Sequence, residues 1–255
     1  MDESLIVERH GRVAVLIVNR ERRRNALDDA TLVRLQAALA TCAREDVAAI
    51  VLAGAGTKAF SAGSDIKELE KQTIDERRAH TDLGQRIADQ IEEHACPVIA
   101  AIEGYCLGGG LELASACDYR IAGAEAIFGL PEVRLGALPS WGGTFRLPRL
   151  IGAGRARELV QFDRRLNAQE ARAWGLVAEV VPAGQALARA RALAAGLAEA
   201  TKRETAAIAK RLVTYGADAS MRAARHLEYL ADMVQTASAD FEAGVAKFGE
   251  KAKGG

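Results

Sequence analysis

The sequence predicts an α/β protein, a layered core of strands and helices followed by a helical C-terminal third. Short apolar runs end on glycine-rich turns that lead into helical spacing, and this order recurs through residue 130. From about Gln185 the strand signals vanish, and Ala, Leu, Arg and Glu, all strong helix formers, dominate through Lys247. The 255 residues are 49% apolar and 27% charged, a globular composition with enough chain for one large domain or two modest ones.

Residues 4 to 18 alternate and then run apolar through Val13, Val15, Ile17 and Val18, which predicts paired strands turning at His10-Gly11. After Asn25-Ala-Leu-Asp-Asp, the residues Leu32, Leu35, Leu39 and Cys42 fall at helical spacing, with Asp28 or Asp29 as the cap. Ala48 to Ala53 and Val98 to Ile102 are short strands stopped by Gly54-Ala-Gly56 and Glu103-Gly104. Ile151-Gly-Ala-Gly-Arg reads as a helix entry, because it lacks the third glycine and the preceding strand of a phosphate loop. The alanine-rich helices at the end are apolar on broad faces, so another subunit is expected to cover part of them.

Lys plus Arg and Asp plus Glu balance at 34 each, so there is no overall positive field to gather nucleic acid or an anionic membrane. The longest apolar runs fall far short of the ~20 residues that span a bilayer. The first residues lack the positive start and apolar centre of a secretory signal, and a cytoplasmic location is expected. Cys42, Cys96, Cys106 and Cys117 form no C-x-x-C pair and read as reduced core residues. His10, His80, His94 and His226 lack ligand spacing, and no metal site is expected.

Three segments carry candidate chemistry. In Lys58-Ala-Phe-Ser-Ala-Gly-Ser-Asp-Ile-Lys-Glu68 small residues precede a helix start, whose outward N–H groups can receive an oxyanion or simply be capped. In Gly104-Tyr-Cys-Leu-Gly-Gly-Gly-Leu-Glu-Leu113 three glycines run straight into a helix, a costly arrangement that close backbone approach to a ligand explains. It is neither a dinucleotide fingerprint nor a Walker loop. In Phe128-Gly-Leu-Pro-Glu-Val to Leu147, Glu132 sits in apolar company, as Glu112 does, so each is either paired or functional. The Arg20 to Arg24 cluster meets phosphates or is a solvated loop. No Gly-x-Ser-x-Gly elbow of a hydrolase is present.

Together with Asn25-Ala-Leu-Asp and Pro131-Glu132 to Gly143-Thr144, these segments resemble the crotonase (enoyl-CoA hydratase/isomerase) superfamily, most closely enoyl-CoA hydratase, over nearly the whole chain. The resemblance implies a ClpP-like spiral of ββα units over residues 1–190 and a helical trimerisation region over 191–255. A homotrimer or a dimer of trimers is implied as the assembly, and fatty-acid metabolism as the setting. It implies an acyl-CoA thioester as substrate, with coenzyme A arriving as part of it and no separate cofactor. By position, the N–H groups of Ser64 and Gly109 form the oxyanion hole, and Arg24, Ala26, Ala62, Ser64, Asp65 and Ile66 lie along coenzyme A, with Ala62 near the adenine. Glu112 then takes a proton from water and Glu132 delivers one to the α-carbon, adding water across the 2,3 double bond.

Leu130 stands where many hydratases carry Gln, and Ser140-Trp141 replaces a small Gly-Ala pair, which is expected to shorten or flatten the acyl group accepted. The ending Lys247-Phe-Gly-Glu-Lys-Ala-Lys also departs from the family pattern, which puts its contact with coenzyme A in question. The same resemblance admits double-bond isomerisation, hydration of a cyclic or aromatic-derived acyl-CoA, or an idle acyl-CoA-binding protein.

Overall fold

The computed structural model describes residues 3–253, with side chains through Lys247. It opens with the expected hairpin, β1 (Leu5–His10) antiparallel to β2 (Val13–Val18), with His10 opposite Val13 across the turn. Asp28 caps α1 (Asp29–Arg44) by accepting from Thr31 N–H, and Leu32, Leu35, Leu39 and Cys42 are buried as their spacing required.

Three strand–strand–helix units follow, and each places its first strand in one sheet and its second in another. β3 (Ala49–Gly54) and β4 (Ala59–Ser61) lead to α2 (Ile66–Leu69) and α3 (Ile74–Glu92). Next come β5 (Val98–Ile102), β6 (Tyr105–Leu107) and α4 (Gly109–Ala116). Then β7 (Tyr119–Gly123) and β8 (Ile127–Gly129) lead through a 3-10 turn at Glu132–Leu135 to α5 (Gly143–Ile151) and α6 (Ala153–Gln161). The unit closes with β9 (Leu166–Asn167), α7 (Ala168–Trp174) and β10 (Glu179–Val181). Gly152 separates α5 from α6, so the glycines there mark a helix entry.

The larger sheet has the order β1-β2-β3-β5-β7-β10 and is parallel from β2 onward; the smaller has the order β4-β6-β8-β9. This is the spiral α/β architecture. Both faces of the larger sheet are covered, which is why β2 reads as a continuous apolar run. Ala14, Leu16 and Val18 join the main core with α1, α3 and α4, while Val13, Val15 and Ile17 face Ala186, Ala190 and Ala194. Those alanines lie on α8 (Ala186–Ala200), which crosses residue 190, where the sequence placed the end of the core. The buried Glu103 carboxylate accepts from Ala186 N–H at 2.8 Å and anchors its start.

The chain divides into two compact units, residues 1–199 and 200–255. The second is helical, with α9 (Arg203–Gly216), α10 (Met221–Thr236) and α11 (Ala239–Lys253). Val213, Met221, Tyr229, Met233 and Val234 stand exposed on it. The side chains of 248–253, part of the atypical ending, lie outside the described residues. All four cysteines are buried and outside any disulfide, matching their reading as core. Among the described residues no helix is long and apolar enough to cross a membrane, and no three His, Cys, Asp or Glu side chains gather as metal ligands.

Candidate active site

Two glycine-bearing turns meet at the ends of β4 and β6. Gly63, at φ +90°, packs so tightly on the second turn that a Cβ there would stand 3.0 Å from the Leu107 carbonyl and 3.1 Å from Gly109 N. Gly108, at φ +53°, precedes α4, which puts Gly109 N–H in a first helical turn whose donors have no partner within the helix. Ser64 follows Gly63 and is fixed from outside its turn: Leu27 N–H donates to the Gly63 carbonyl at 2.8 Å, and Asp65 N–H donates to the Leu27 carbonyl at 2.9 Å. The structure therefore brings Ser64 and Gly109 to adjoining turns.

Asp65 is buried, and its carboxylate caps α2 through Lys67 N–H. Arg23 approaches it at 2.8 Å and Arg20 at 3.0 Å. Burial alone would raise this carboxyl, but the Arg23 and Arg20 hydrogen bonds hold it below its usual range. Arg20 also pairs with Asp28 at 2.7 Å. The arginine cluster is thus partly a set of structural ties, although Arg24 stays exposed with its guanidinium 5.4 Å from the Tyr105 ring centroid. Asn25 is fully buried, with its Nδ2 donating to the Ala55 carbonyl at 3.0 Å and the Ala59 carbonyl at 2.6 Å. Ala62 N–H donates to the Arg24 carbonyl. Ala26 is buried, whereas Ile66 is exposed.

Glu112 belongs to α4, whose eight residues are all buried. Its Oε1 accepts from Trp141 N–H at 2.7 Å and from Gly143 N–H at 2.8 Å, donors from the start of α5. Burial pushes the Glu112 carboxyl up to about 7 despite those two bonds, with the Glu132 charge adding to the rise. Burial likewise pushes Glu132 up to about 7, and its Oε2 is buried without a hydrogen-bond partner. Its Oε1 reaches the front of Gly108, where a Cβ would stand 3.0 Å away. Two carboxyls able to hold or release a proton near neutrality therefore adjoin the turn that carries Gly109.

Sequence reasoning missed the surroundings of these residues. Trp141 is buried against Gly109, Gly84 and His80, and its carbonyl accepts from Arg146 Nη1 at 2.9 Å. Arg146 also binds Asp89 and Glu92 of α3, so the indole is wedged between α3 and α4. His80, passed over for lack of ligand spacing, lies 3.0 Å from Ser64 Oγ and 2.6 Å from Asp29 Oδ1. The buried surroundings of a helix's inner face are the only signal that singles it out, and they belong to α3 rather than to any motif.

A family model described as enoyl-CoA hydratase/isomerase matches residues 8–254. Crotonyl-CoA hydratase of Syntrophomonas wolfei is 42% identical over 194 residues, covering 75% of this chain and 74% of its own. Short-chain-enoyl-CoA hydratase of Clostridium acetobutylicum is 41% identical over 192 residues, covering 75% and 74%. The crystal structure of enoyl-CoA hydratase from Bacillus anthracis superposes with a TM-score of 0.94 at 37% identity, covering 98% of this chain and 97% of that one.

Proposed function

The chain belongs to the enoyl-CoA hydratase/isomerase family, and from that premise we propose that it is a hydro-lyase adding water across the 2,3 double bond of a 2-enoyl-CoA thioester. The observation that carries the reading is the pair Glu112 and Glu132, both raised to about 7 by burial beside the Ser64 and Gly109 turns. In this reading the thioester oxygen sits between the N–H groups of Ser64 and Gly109, which stabilise the enolate formed when water attacks C3. Glu112, held by two backbone donors, suits the carboxylate that accepts the water proton. Glu132, with Oε2 unpartnered, suits the protonated acid that serves C2. The Glu132 charge raises Glu112, so the two titrations are linked, and the working state has Glu112 ionised and Glu132 protonated.

Coenzyme A runs along Arg24, Ala26 and the Ala62 to Ile66 segment. Ala62 N–H is taken by the Arg24 carbonyl, so the Ala62 carbonyl is the backbone group assigned to the adenine in this reading. The Asp65 side chain serves the arginines and its backbone groups bond Leu27, Glu68 and Leu69, so Asp65 shapes the path without a polar contact of its own. No separate cofactor is required by this chemistry. A homotrimer or dimer of trimers is supported by the exposed Val213, Met221, Tyr229, Met233 and Val234 of the second unit.

Following the loss of enoyl absorbance with crotonyl-CoA tests the reading. Wild type should turn over, and Glu112→Gln and Glu132→Gln should each lose ~10²- to 10⁴-fold in kcat at matched folding. Hydration that survives the double substitution overturns it.

A further inference from the structure

Ser64 brings more than its N–H to the oxyanion turn, because its hydroxyl ends a chain of hydrogen bonds. Ser64 Oγ lies 3.0 Å from His80 Nε2, and His80 Nδ1 lies 2.6 Å from Asp29 Oδ1. A carboxylate can only accept, so Nδ1 carries the hydrogen, and in the neutral ring Nε2 accepts from the serine hydroxyl. The second oxygen of Asp29 accepts from Gln72 Nε2 at 2.9 Å, which keeps Oδ1 turned to the imidazole. The ring itself is 4% exposed and is held 5.2 Å from the Trp141 ring, centroid to centroid. Three separate elements contribute: Asp29 opens α1, Ser64 precedes α2, and His80 lies on α3.

An aspartate that fixes an imidazole, whose far nitrogen takes a serine proton, is the hydrogen-bond order of the serine-hydrolase triad, recognised by geometry and not by chain order. In that constellation the nucleophile's own N–H also forms one arm of the oxyanion hole. Ser64 holds the same double position here, provided that the thioester oxygen sits between Ser64 and Gly109 as proposed above.

We propose that Ser64, His80 and Asp29 form a nucleophilic triad that hydrolyses a bound acyl-CoA thioester, a second activity resting on the same carbonyl site as hydration. Ser64 Oγ adds to the carbonyl carbon while its proton passes to His80 Nε2, and the oxyanion is held by the N–H groups of Ser64 and Gly109. Collapse breaks the C–S bond, and coenzyme A leaves as the thiol with the proton from the imidazolium. Water then adds to the acyl-serine carbonyl and gives a proton to His80. The ester C–O bond breaks, Ser64 recovers that proton, and a carboxylic acid departs. Thioester and water become acid and thiol, with no change of oxidation state. Asp29 positions the ring and balances the imidazolium charge throughout. A chain of bonds that merely tied α1 to α3 would leave the thioester intact.

Butyryl-CoA separates the two activities, because it has no 2,3 double bond to hydrate. The test incubates the full chain with butyryl-CoA and follows free coenzyme A by chromatography. A second sample, with enzyme in excess, is quenched in acid within the first turnover for mass analysis of the Ser64 peptide. Wild type should release coenzyme A and carry a butyryl group on Ser64, and His80→Gln should slow release by roughly 100-fold or more. Wild type that hydrates crotonyl-CoA yet releases no coenzyme A, or shows no Ser64 adduct, overturns the triad while leaving the hydratase reading intact. Release undiminished in a folded His80→Gln overturns it too. Loss of both activities in wild type strikes the shared carbonyl site itself. The wild-type adduct decides the matter even if His80→Gln does not fold.

Discussion

Trp141 lies on the bare backbone of Gly84: a Cβ at that position would stand 2.0 Å from the indole Cε2. Replacing a helical glycine with alanine ordinarily gains up to about 1 kcal/mol. Here the overlap reverses the sign, and Gly84→Ala should lower stability by roughly 1–3 kcal/mol. A shift of the urea midpoint measures this, and part of the loss should return in the Gly84→Ala, Trp141→Phe double variant.

The same indole presses on Gly109, where a Cβ would stand 2.5 Å from Cζ3. Trp141→Ala retains the backbone N–H that serves Glu112 while removing the ring that fills this volume. The ratio of kcat/KM for a medium-chain enoyl-CoA to that for crotonyl-CoA should rise at least about tenfold, within the range that pocket volume commands. An unchanged ratio would mean that the ring does not bound the acyl site.

The raised carboxyls make stability fall as pH rises. Glu112 ionises near 4.5 when unfolded and at about 7 when folded, so the native state binds the proton more tightly. Its stabilising contribution is complete below the unfolded value and is lost as pH rises through the folded one. Between about pH 5 and about pH 8, Glu112→Gln should gain on the order of 1–3 kcal/mol relative to wild type. Urea melts of both proteins at the two pH values read this difference directly.

Glu103 holds the start of α8 through Ala186 N–H. Glu103→Ala should cost about 1–2 kcal/mol, as loss of a helix cap does, whereas Glu103→Gln, which retains an accepting oxygen, should cost less. Equal losses by thermal melting would point to packing against Gly123, next to the same carboxylate, as the cause.

β1, β2, β3 and β5 of the larger sheet were legible because burial leaves runs such as Val13–Val18 and Val98–Ile102, whereas β7 and the three-residue β10 were not. The smaller sheet was not, since β4, β6 and β8 are three residues each and too short to show a period. Glu112 and Glu132 stood out because a carboxylate in apolar company demands a reason. Ser64 stood out for its N–H and Asp29 as a possible cap, but no sequence mark joins either to His80, and only the crossing of α1, the turn before α2, and α3 brings them together. Trp141 reads in the sequence as a bulky replacement near the acyl pocket, yet its fit depends on the absence of a side chain at Gly84 of α3.

The strand order of the larger sheet also sets a schedule for synthesis. β1 and β2 pair as soon as they leave the ribosome, but β7 has β5 on one side and must wait for β10 on the other. The intervening segment, Ala124 to Ala178, includes β8, β9 and three helices. At ~5–20 residues per second, the outer edge of β7 stays open on the order of seconds. That edge is apolar and extended, the kind of template that recruits strands from neighbouring chains. Nascent chains should therefore be most prone to aggregation in the interval before β10 arrives to close it.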